Sequence, residues 1–276
     1  QKRLAQTKSW IKELDEETGR VHGYVNPNGA VTSRMTHSHP NMAQIPSSSS
    51  PYGEDCRSCW TVPENYRLVG IDAAQLELRM LAHYLNDKDY TNEILNGDIH
   101  TTNQRLAELE SRDKAKTFIY ALLYGAGDAK LGSVVGRGRA VGKGLRQRFF
   151  DNLPAFKKLT DRVQREAKSG FVKGLDGRKL TVRSEHAALN TLLQGAGSIV
   201  MKQALIVLNN KITKHGYDAK FVANVHDEWQ IECSIDDAVD VGKLGVLALR
   251  EAGCMFKLNC PLDGAYKVGE NWSETH

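Results

Sequence analysis

The most constraining feature of this sequence is a pair of acidic residues, each placed at the end of an apolar, strand-like segment. Asp72 ends the apolar run 67–72, and Asp227 lies in a short turn between the runs 219–225 and 229–233. The two residues are 155 positions apart, so only the tertiary fold can bring them together. Carboxylates at the ends of neighbouring strands can share divalent cations, whereas a single such Asp is usually a cap or a turn residue. The pair therefore predicts a metal-dependent phosphoryl-transfer site.

A segment between the two acids has a helical pattern and carries two cations and two tyrosines at fourfold spacing. Arg112, Lys116, Tyr120 and Tyr124 drift by about 40° per step and share one broad stripe of a helix. The cations offer charge and donors to a triphosphate, and the rings can stack on a sugar or a base. A solvated basic edge with two tyrosines packed on the core explains the stripe equally well.

Three further polar residues are candidates for substrate contacts. His100 lies just before this helix and can donate to a phosphate, although a single His in this place is more often a cap or a surface group. Asn190 and Gln194 are one turn apart on a long predicted helix. Their amides suit minor-groove acceptors, or they simply belong to the polar face.

Charge is distributed unevenly along the chain. Residues 130–183 contain 15 Lys and Arg against 4 Asp and Glu, a local charge of +11, and the remaining residues carry −7. This asymmetry favours a polyanion-facing segment over an ordinary solvated helical surface. The 41% apolar and 25% charged composition is typical of a soluble globular protein, and we expect no membrane partner because no run approaches the about 20 apolar residues of a membrane span.

Five cysteines in 276 residues indicate a reducing compartment rather than a disulfide framework. Cys56 and Cys59 have the spacing of half a zinc site, but no second pair follows at ligand spacing. Incidental thiols in a loop are the better interpretation.

The order of apolar patterns predicts an α+β fold in which a helical insertion separates two halves of a small antiparallel sheet. The predicted strands are 67–72, 219–225, 229–233 and 265–268, with minor strands at 23–28 and 30–34 and a hairpin over 171–183. The predicted helices are 1–14, 74–86, 113–123, 154–169, 187–214 and 236–252. The glycines between 136 and 144 predict an irregular, mobile stretch.

Taken together, these runs resemble the family A DNA polymerases, the DNA polymerase I superfamily, and most closely the podovirus-type phage replicative polymerases. Residues 72–79 match the motif A pattern Asp-x-x-x-x-Glu-x-Arg, residues 112–125 match motif B, and residues 226–228 match motif C. Residues 32–46 are similar to the primer–template contact segment. The motifs occur in order and cover nearly the whole chain.

The resemblance implies a right-hand polymerase palm, an antiparallel sheet with flanking helices, interrupted by a helical fingers subdomain, with the thumb mostly absent. Residues 1–20 would be a thumb remnant or stem, 21–83 the first half of the palm, 84–190 the fingers, and 191–276 the second half of the palm.

The resemblance also implies a role for each matching residue. Asp72, Asp227 and the Ala73 carbonyl would bind two Mg²⁺ ions, for which Mn²⁺ is expected to substitute. Lys116 would protonate the pyrophosphate leaving group, Glu77 would block a ribose 2′-OH, and Tyr120 would pack on the incoming sugar. The implied nucleotide-binding residues are Ala73, Gln75, Glu77, His100, Arg112, Lys116 and Tyr120. The implied DNA-binding residues are Arg34, Asn41, Gln44, Tyr124, Asn190, Gln194, His226 and Glu228.

The chain departs from the family pattern in three ways. Ser33 replaces a common Gly before Arg34, and the thumb is short. The residues before the palm leave no room for a 3′–5′ exonuclease domain, so we expect no proofreading by this chain. The expected partners are primer–template DNA, a dNTP, a separate chain with exonuclease and thumb, and a processivity factor. The expected location is the bacterial host cytoplasm for a phage-encoded chain.

Two other functions stay open at this point. A single-subunit RNA polymerase shares versions of these motifs, but Glu77 disfavours it because a ribonucleotide enzyme should lack that bulky acid. A non-catalytic DNA-binding subunit needs no intact metal site, and the presence of both acids, Arg112 and Lys116 disfavours it.

Overall fold

A computed structural model describes residues 2–276, which form two compact units. The first unit contains the described residues up to 76, together with 198–257 and 261–276. The second contains residues 77–197 and 258–260, so it is inserted in the sequence between two parts of the first. The fold combines helices with a central antiparallel sheet, which confirms the predicted α+β class.

The first unit is built around a four-stranded antiparallel sheet. Its elements in chain order are α1 (Lys2–Lys12), β1 (Leu14–Asp15), β2 (Arg20–Val21), β3 (Tyr24–Asn26), β4 (Thr36–Ser38), α2 (Gly53–Ser58), β5 (Tyr66–Ala73), β8 (Ala219–Val225), β9 (Glu228–Ser234), α11 (Ala238–Met255) and β10 (Gly264–Gly269). The sheet order is β10-β5-β9-β8, with β1–β2 and β3–β4 as separate two-stranded pairs. Because β5 and β9 are the inner strands, the segments next to both acids are held on two sides.

Helix α11 covers one face of this sheet and packs against β5 and β10. A Cβ added at Gly245 would collide with the Ile71 side chain, so glycine permits this close approach. The first unit also has an apolar cluster of Trp10, Ile45, Leu68 and Trp272. The inner strands β5 and β9 are mostly buried, whereas the outer strands β8 and β10 are largely part-exposed.

The second unit is mainly helical. Its elements are α3 (Leu76–Leu85), which starts at the unit boundary, α4 (Lys88–Asn96), α5 (Ile99–Ala107), α6 (Arg112–Leu123), α7 (Asp128–Ser133), α8 (Arg139–Asn152), α9 (Pro154–Ala167), the hairpin β6 (Phe171–Lys173) and β7 (Lys179–Thr181), and α10 (Ala188–His215), which contains the boundary at residue 197. Phe149 lies edge-on to both Phe118 and Phe156, with ring centroids 5.7 and 5.3 Å apart, and these rings join α6, α8 and α9.

Several predicted elements were wrong or missed. The minor strand at 30–34 is a loop, and β4 lies further on, at Thr36–Ser38. The predicted irregular stretch at 136–144 contains the start of α8, because Gly142 allows α8 to lie against the backbone of Asp128 in α7. The short elements β1, β2 and α2 were not predicted, since two to six residues carry too little periodicity.

One helix is more apolar than the sequence analysis expected, and the absence of a membrane partner stays a prediction. The helical stretch Glu185–His215 is long and apolar enough to cross a membrane by composition, with a mean hydropathy of 1.4. Since 72% of its most apolar window is buried within the fold, it has the character of a core helix.

Candidate active site

The two predicted metal-binding acids lie at the same edge of the first unit's sheet. Strands β5 and β9 pair so that Asp72 is opposite Glu228, and the Ala73 amide donates to the Asp227 carbonyl at 2.9 Å. Asp227 belongs to the two-residue turn between β8 and β9. The sheet register therefore brings together two residues that are 155 positions apart in sequence.

The turn that carries Asp227 has an unusual backbone. His226 has a φ of 58°, in the left-handed region that non-glycine residues seldom adopt. Such a conformation costs about 1–3 kcal/mol and persists where the surroundings fix it, often at functional sites. Here the Val225–Glu228 pair on one side and the Ala73 amide on the other fix it.

The electrostatics of this edge favour a bound cation. Asp72 has an exposed side chain, yet desolvation of its carboxylate and the charges of Asp227 and Glu228 raise its pKa to about 6. A divalent cation would relieve that repulsion. No group of three or more His, Cys, Asp and Glu residues with metal-binding geometry occurs among residues 2–276. Magnesium needs only one or two carboxylates when water and substrate phosphates complete its shell, so the pair fits this ion.

Glu228 is buried in a hydrogen-bond network rather than open at the edge. Its carboxylate accepts from Trp272 Nε1 and Gln230 Nε2, and His276 Nδ1 lies 2.8 Å from Oε2. Burial raises its pKa, but His276 and these donors outweigh burial and lower it. The predicted contact of Glu228 with the primer stays a prediction, and its occupied oxygens favour a role in holding the strand end.

Residues near the turn include other predicted DNA contacts. Desolvation, with the charges of Arg34 and His37, lowers the pKa of His226 to about 4, so its ring is neutral near pH 7. Arg34 is half-buried and follows Ser33, whose φ is 57°. Arg34 is close enough to His226 for its charge to act on the imidazole, and the shared primer contact of the two residues stays a prediction.

Asn41 immediately precedes the short turn Met42–Gln44, and Gln44 is its last residue. Asn41 is partly buried, and its Oδ1 has no hydrogen-bond partner among the described residues. Gln44 has an exposed side chain, while its carbonyl accepts from Gln6 Nε2 at 2.7 Å. The Gln44 amide is therefore open to an external ligand, whereas the Asn41 Oδ1 is buried, and the DNA contacts of both residues stay predictions.

Helix α6 of the second unit carries the predicted triphosphate contacts. Arg112, its first residue, donates Nε and Nη2 to Asp98 at 2.6 and 3.2 Å. Lys116 is exposed one turn later. His100 on α5 is buried, its Nδ1 has no partner among the described residues, and burial and the charges of Arg112 and Lys116 lower its pKa. These three side chains therefore form one cationic or donor-bearing cluster.

The aromatic part of the stripe faces the same region. The Tyr120 ring lies 6.3 Å from both the His100 and the Tyr124 rings, centroid to centroid. Tyr124 donates its hydroxyl to Glu77 Oε2 at 2.9 Å. Gln75, two residues before Glu77 in the sequence, has an exposed side chain and a φ of 51°. The fourfold spacing thus becomes a continuous surface of cations and rings.

Two of the remaining predictions concern the second unit. Asn190 and Gln194 are partly exposed one turn apart on α10. Four cations of the basic segment are compensated by acids, in the pairs Arg146–Asp128, Arg148–Glu108, Lys157–Asp161 and Arg178–Asp176. Asp161 and Asp176 are already included in the local charge of +11, so only Asp128 and Glu108 bring negative charge from outside the segment.

The comparisons with known proteins agree with the motif order. The family model "DNA polymerase family A" matches residues 2–274. The chain belongs to DNA polymerase family A. It is 44% identical to the DNA-directed DNA polymerases of Enterobacteria phage T3 and Escherichia phage T7, over the whole chain and 44% of each relative. It is 33% identical to DNA polymerase I of Aquifex aeolicus, over 96% of the chain and 48% of that relative.

This family A member therefore spans less than half the length of these relatives. Among solved structures, it resembles the POL domain of Pol1 from M. smegmatis, which was determined in complex with DNA primer-template and dNTP. The TM-score is 0.89 at 24% identity, over 98% of this chain and 51% of that one, which shows a shared fold. The resemblance seen in the sequence is confirmed.

Sequence reasoning missed several residues that contact the predicted site residues or the residues beside them. They are Asp98, which binds Arg112, Lys202, which binds the Ser33 carbonyl, and the trio Arg57, Trp272 and His276 around Glu228. Only Asp98 gave a sequence signal, as an Asp before a helix. The others depend on contacts distant in sequence.

Proposed function

We propose that this family A member performs template-directed DNA synthesis, in which dNTPs are added to a primer 3′-OH by two-metal nucleotidyl transfer. The observation that carries the proposal is the shared strand edge of Asp72 and Asp227. Relatives at 44% identity are named DNA-directed DNA polymerases, which supports the same reaction here.

Asp72, Asp227 and the Ala73 carbonyl would hold the metal ions. Two bound Mg²⁺ ions, or Mn²⁺ in their place, would stabilise the attacking and leaving oxygens of an in-line displacement. The chain's own contribution is to fix both carboxylates through the β5–β9 register and the Ala73–Asp227 hydrogen bond. This preorganisation avoids movement of the acids during the reaction.

The surface of α6 would bind the incoming nucleotide. Arg112 and Lys116 would hold the triphosphate, with His100 as a further donor. Lys116 would deliver the proton that pyrophosphate needs on leaving. Tyr120 would pack on the sugar and Glu77 would exclude a ribose 2′-OH, with Gln75 nearby in sequence.

Each unit carries its own proposed DNA-binding residues. Arg34, Asn41, Gln44 and His226 in the first unit would hold the primer end, and the amides of Asn190 and Gln194 would bind minor-groove acceptors. Tyr124 would lie near the templating base. The structural neighbour in complex with DNA primer-template and dNTP supports this class of ligand.

The subdomain limits also remain a proposal. We assign the palm to residues 21–83 and 191–276, the fingers to 84–190, and a thumb remnant to 1–20. A host bacterial cytoplasm, a separate exonuclease and thumb chain, and a processivity factor stay predictions.

Primer extension with Mg²⁺ and dNTPs tests the proposal. Asp72→Ala and Asp227→Ala should each lower incorporation by at least about a hundredfold, because each removes a metal-binding carboxylate. Both should still bind primer–template DNA in a gel-shift assay. Asp161→Asn is the matched control, since Asp161 is a half-exposed acid that pairs with Lys157 on α9. Near-wild-type incorporation by either alanine variant, or none by the wild-type chain, overturns the proposal.

A further inference from the structure

The N-terminus of α5 contains an aspartate with two simultaneous tasks. Asp98 is the N-cap of α5, and its side chain accepts from the His100 amide at 3.1 Å and from the Thr101 hydroxyl at 2.8 Å. The same carboxylate accepts the two guanidinium bonds of Arg112. Donors from its own helix therefore fix the carboxylate before it meets the arginine.

The geometry of the Arg112 contact leaves most of the guanidinium available. Asp98 occupies Nε and one hydrogen of Nη2, which form one edge of the planar group. A guanidinium has five N–H donors, so three remain, and two of these, one on each Nη nitrogen, form a second edge. The Arg112 side chain is 51% exposed, and that edge can therefore meet an external anion.

We infer that Asp98 is a positioning residue for nucleotide binding, which holds Arg112 so that its free edge faces the triphosphate. This inference rests on the proposed function. A long arginine side chain loses conformational freedom when it binds, and a fixed carboxylate removes that cost beforehand. Asp98 also ties the start of α5, with His100, to the start of α6, with Arg112.

An alternative role for Asp98 predicts the opposite effect. If its carboxylate occupied the place of a phosphate, it would compete with the nucleotide, and its removal would strengthen nucleotide binding. The free edge of Arg112 argues against competition, because both anions can bind one guanidinium at different edges.

Asp98→Asn is the informative variant. Asn caps helices about as well as Asp, so α5 should remain intact, while the charged partner of Arg112 is lost. We expect the KM for dNTP to rise about three- to tenfold, the size expected from disordering one long side chain, with kcat changed less than about twofold. Asp161→Asn, which removes an equally short 2.6 Å ion pair on α9, should leave both constants unchanged.

A double-mutant cycle separates positioning from capping. In an Arg112→Gln background, Asp98→Asn should have no further effect on KM, because its action passes through Arg112. Additive effects would show that Asp98 acts through the helix cap, and an unchanged or lower KM for Asp98→Asn would also overturn the inference.

The same variants can be tested without turnover. Equilibrium binding of a dNTP with Mg²⁺ to the chain on a dideoxy-terminated primer–template should weaken by the same three- to tenfold factor. Absence of incorporation by the wild-type chain would refute the proposed function alone. Equal dNTP binding by wild type and Asp98→Asn would refute the positioning role alone.

Discussion

The Lys202 ammonium donates a hydrogen bond of 2.6 Å to the Ser33 carbonyl, across 169 positions of sequence. The Ser198 hydroxyl donates to the same oxygen at 2.6 Å. Ser33 has a φ of 57°, so two donors hold a residue in a conformation that glycine adopts more easily. The next residue is Arg34, and the clamp therefore sets the direction in which the chain presents it.

Ser33→Gly should keep the fold and change the free energy of unfolding by between zero and about +1 kcal/mol. Relief of the left-handed strain is partly offset by the greater freedom of an unfolded glycine. Ser33→Val should lower the free energy of unfolding by more than about 1 kcal/mol, because a β-branched side chain resists positive φ. Urea unfolding measures both, and equal stability of the two variants would contradict the argument.

Lys202→Met should weaken DNA binding through Arg34. The change keeps the apolar stem but removes the charged donor to Ser33, at an expected cost of about 1–2 kcal/mol in stability. Primer–template affinity should fall several-fold while the KM for dNTP stays constant. Lys243→Met is the control, since Lys243 is exposed and pairs with Asp240 on α11. A change in dNTP KM without a change in DNA affinity would exclude this role for Lys202.

Asp72→Asn should stabilise the metal-free protein while it abolishes incorporation. The pKa of Asp72 is raised in the fold to about 6, above its unfolded value near 3.9, so the folded state binds this proton more tightly. The stabilisation of the fold by the protonated Asp72 is complete below about pH 4, and it is lost as the pH rises through 6. Because the side chain is exposed, we expect the Asn variant to gain at most about 1 kcal/mol at pH 8.

Urea unfolding with EDTA at pH 8 and pH 4 measures this effect. The gain should vanish at pH 4, and added Mg²⁺ should stabilise wild type but not Asp72→Asn, because a ligand stabilises only a state that binds it. A less stable Asp72→Asn protein in EDTA at pH 8 would be inconsistent with the raised pKa.

The sheet and α6 could be predicted because their signals are local. The apolar run before Asp72 predicted β5, and the fourfold spacing from Arg112 to Tyr124 predicted the α6 stripe. The meeting of Asp72 and Asp227 could also be predicted, because both residues follow strand-like segments and the ends of strands in one sheet can meet.

Contacts between distant segments could not be predicted in the same way. Nothing in the sequence near Glu228 indicates that Trp272 and His276 bind its carboxylate. The pairing of Arg112 with Asp98 needs the packing of α5 on α6, and the Lys202 bond needs the loop before β4. Periodicity reports which face is buried, but not which polar groups meet there.

Glu77→Ala should increase ribonucleotide incorporation relative to dNTP incorporation by at least about tenfold. The expected reason is loss of the carboxylate that we propose excludes the 2′-OH. Tyr124→Phe should have a smaller effect in the same direction, because it removes only the 2.9 Å bond that orients Glu77. Paired rNTP and dNTP assays measure the ratio, and a wild-type preference for rNTP would instead favour an RNA polymerase.

His276→Ala should lower both stability and kcat while the KM for dNTP is unchanged. The change leaves Glu228 Oε2 without its 2.8 Å partner in a buried place, which costs about 1–3 kcal/mol. Glu228 follows Asp227 directly and pairs with Asp72, so a loosened Glu228 displaces both proposed metal-binding acids. His276→Gln, whose amide can still donate, should recover most of kcat. Thermal unfolding and single-turnover incorporation measure the two effects, and full kcat in His276→Ala would show that the Glu228 network supports the fold but not the proposed metal site.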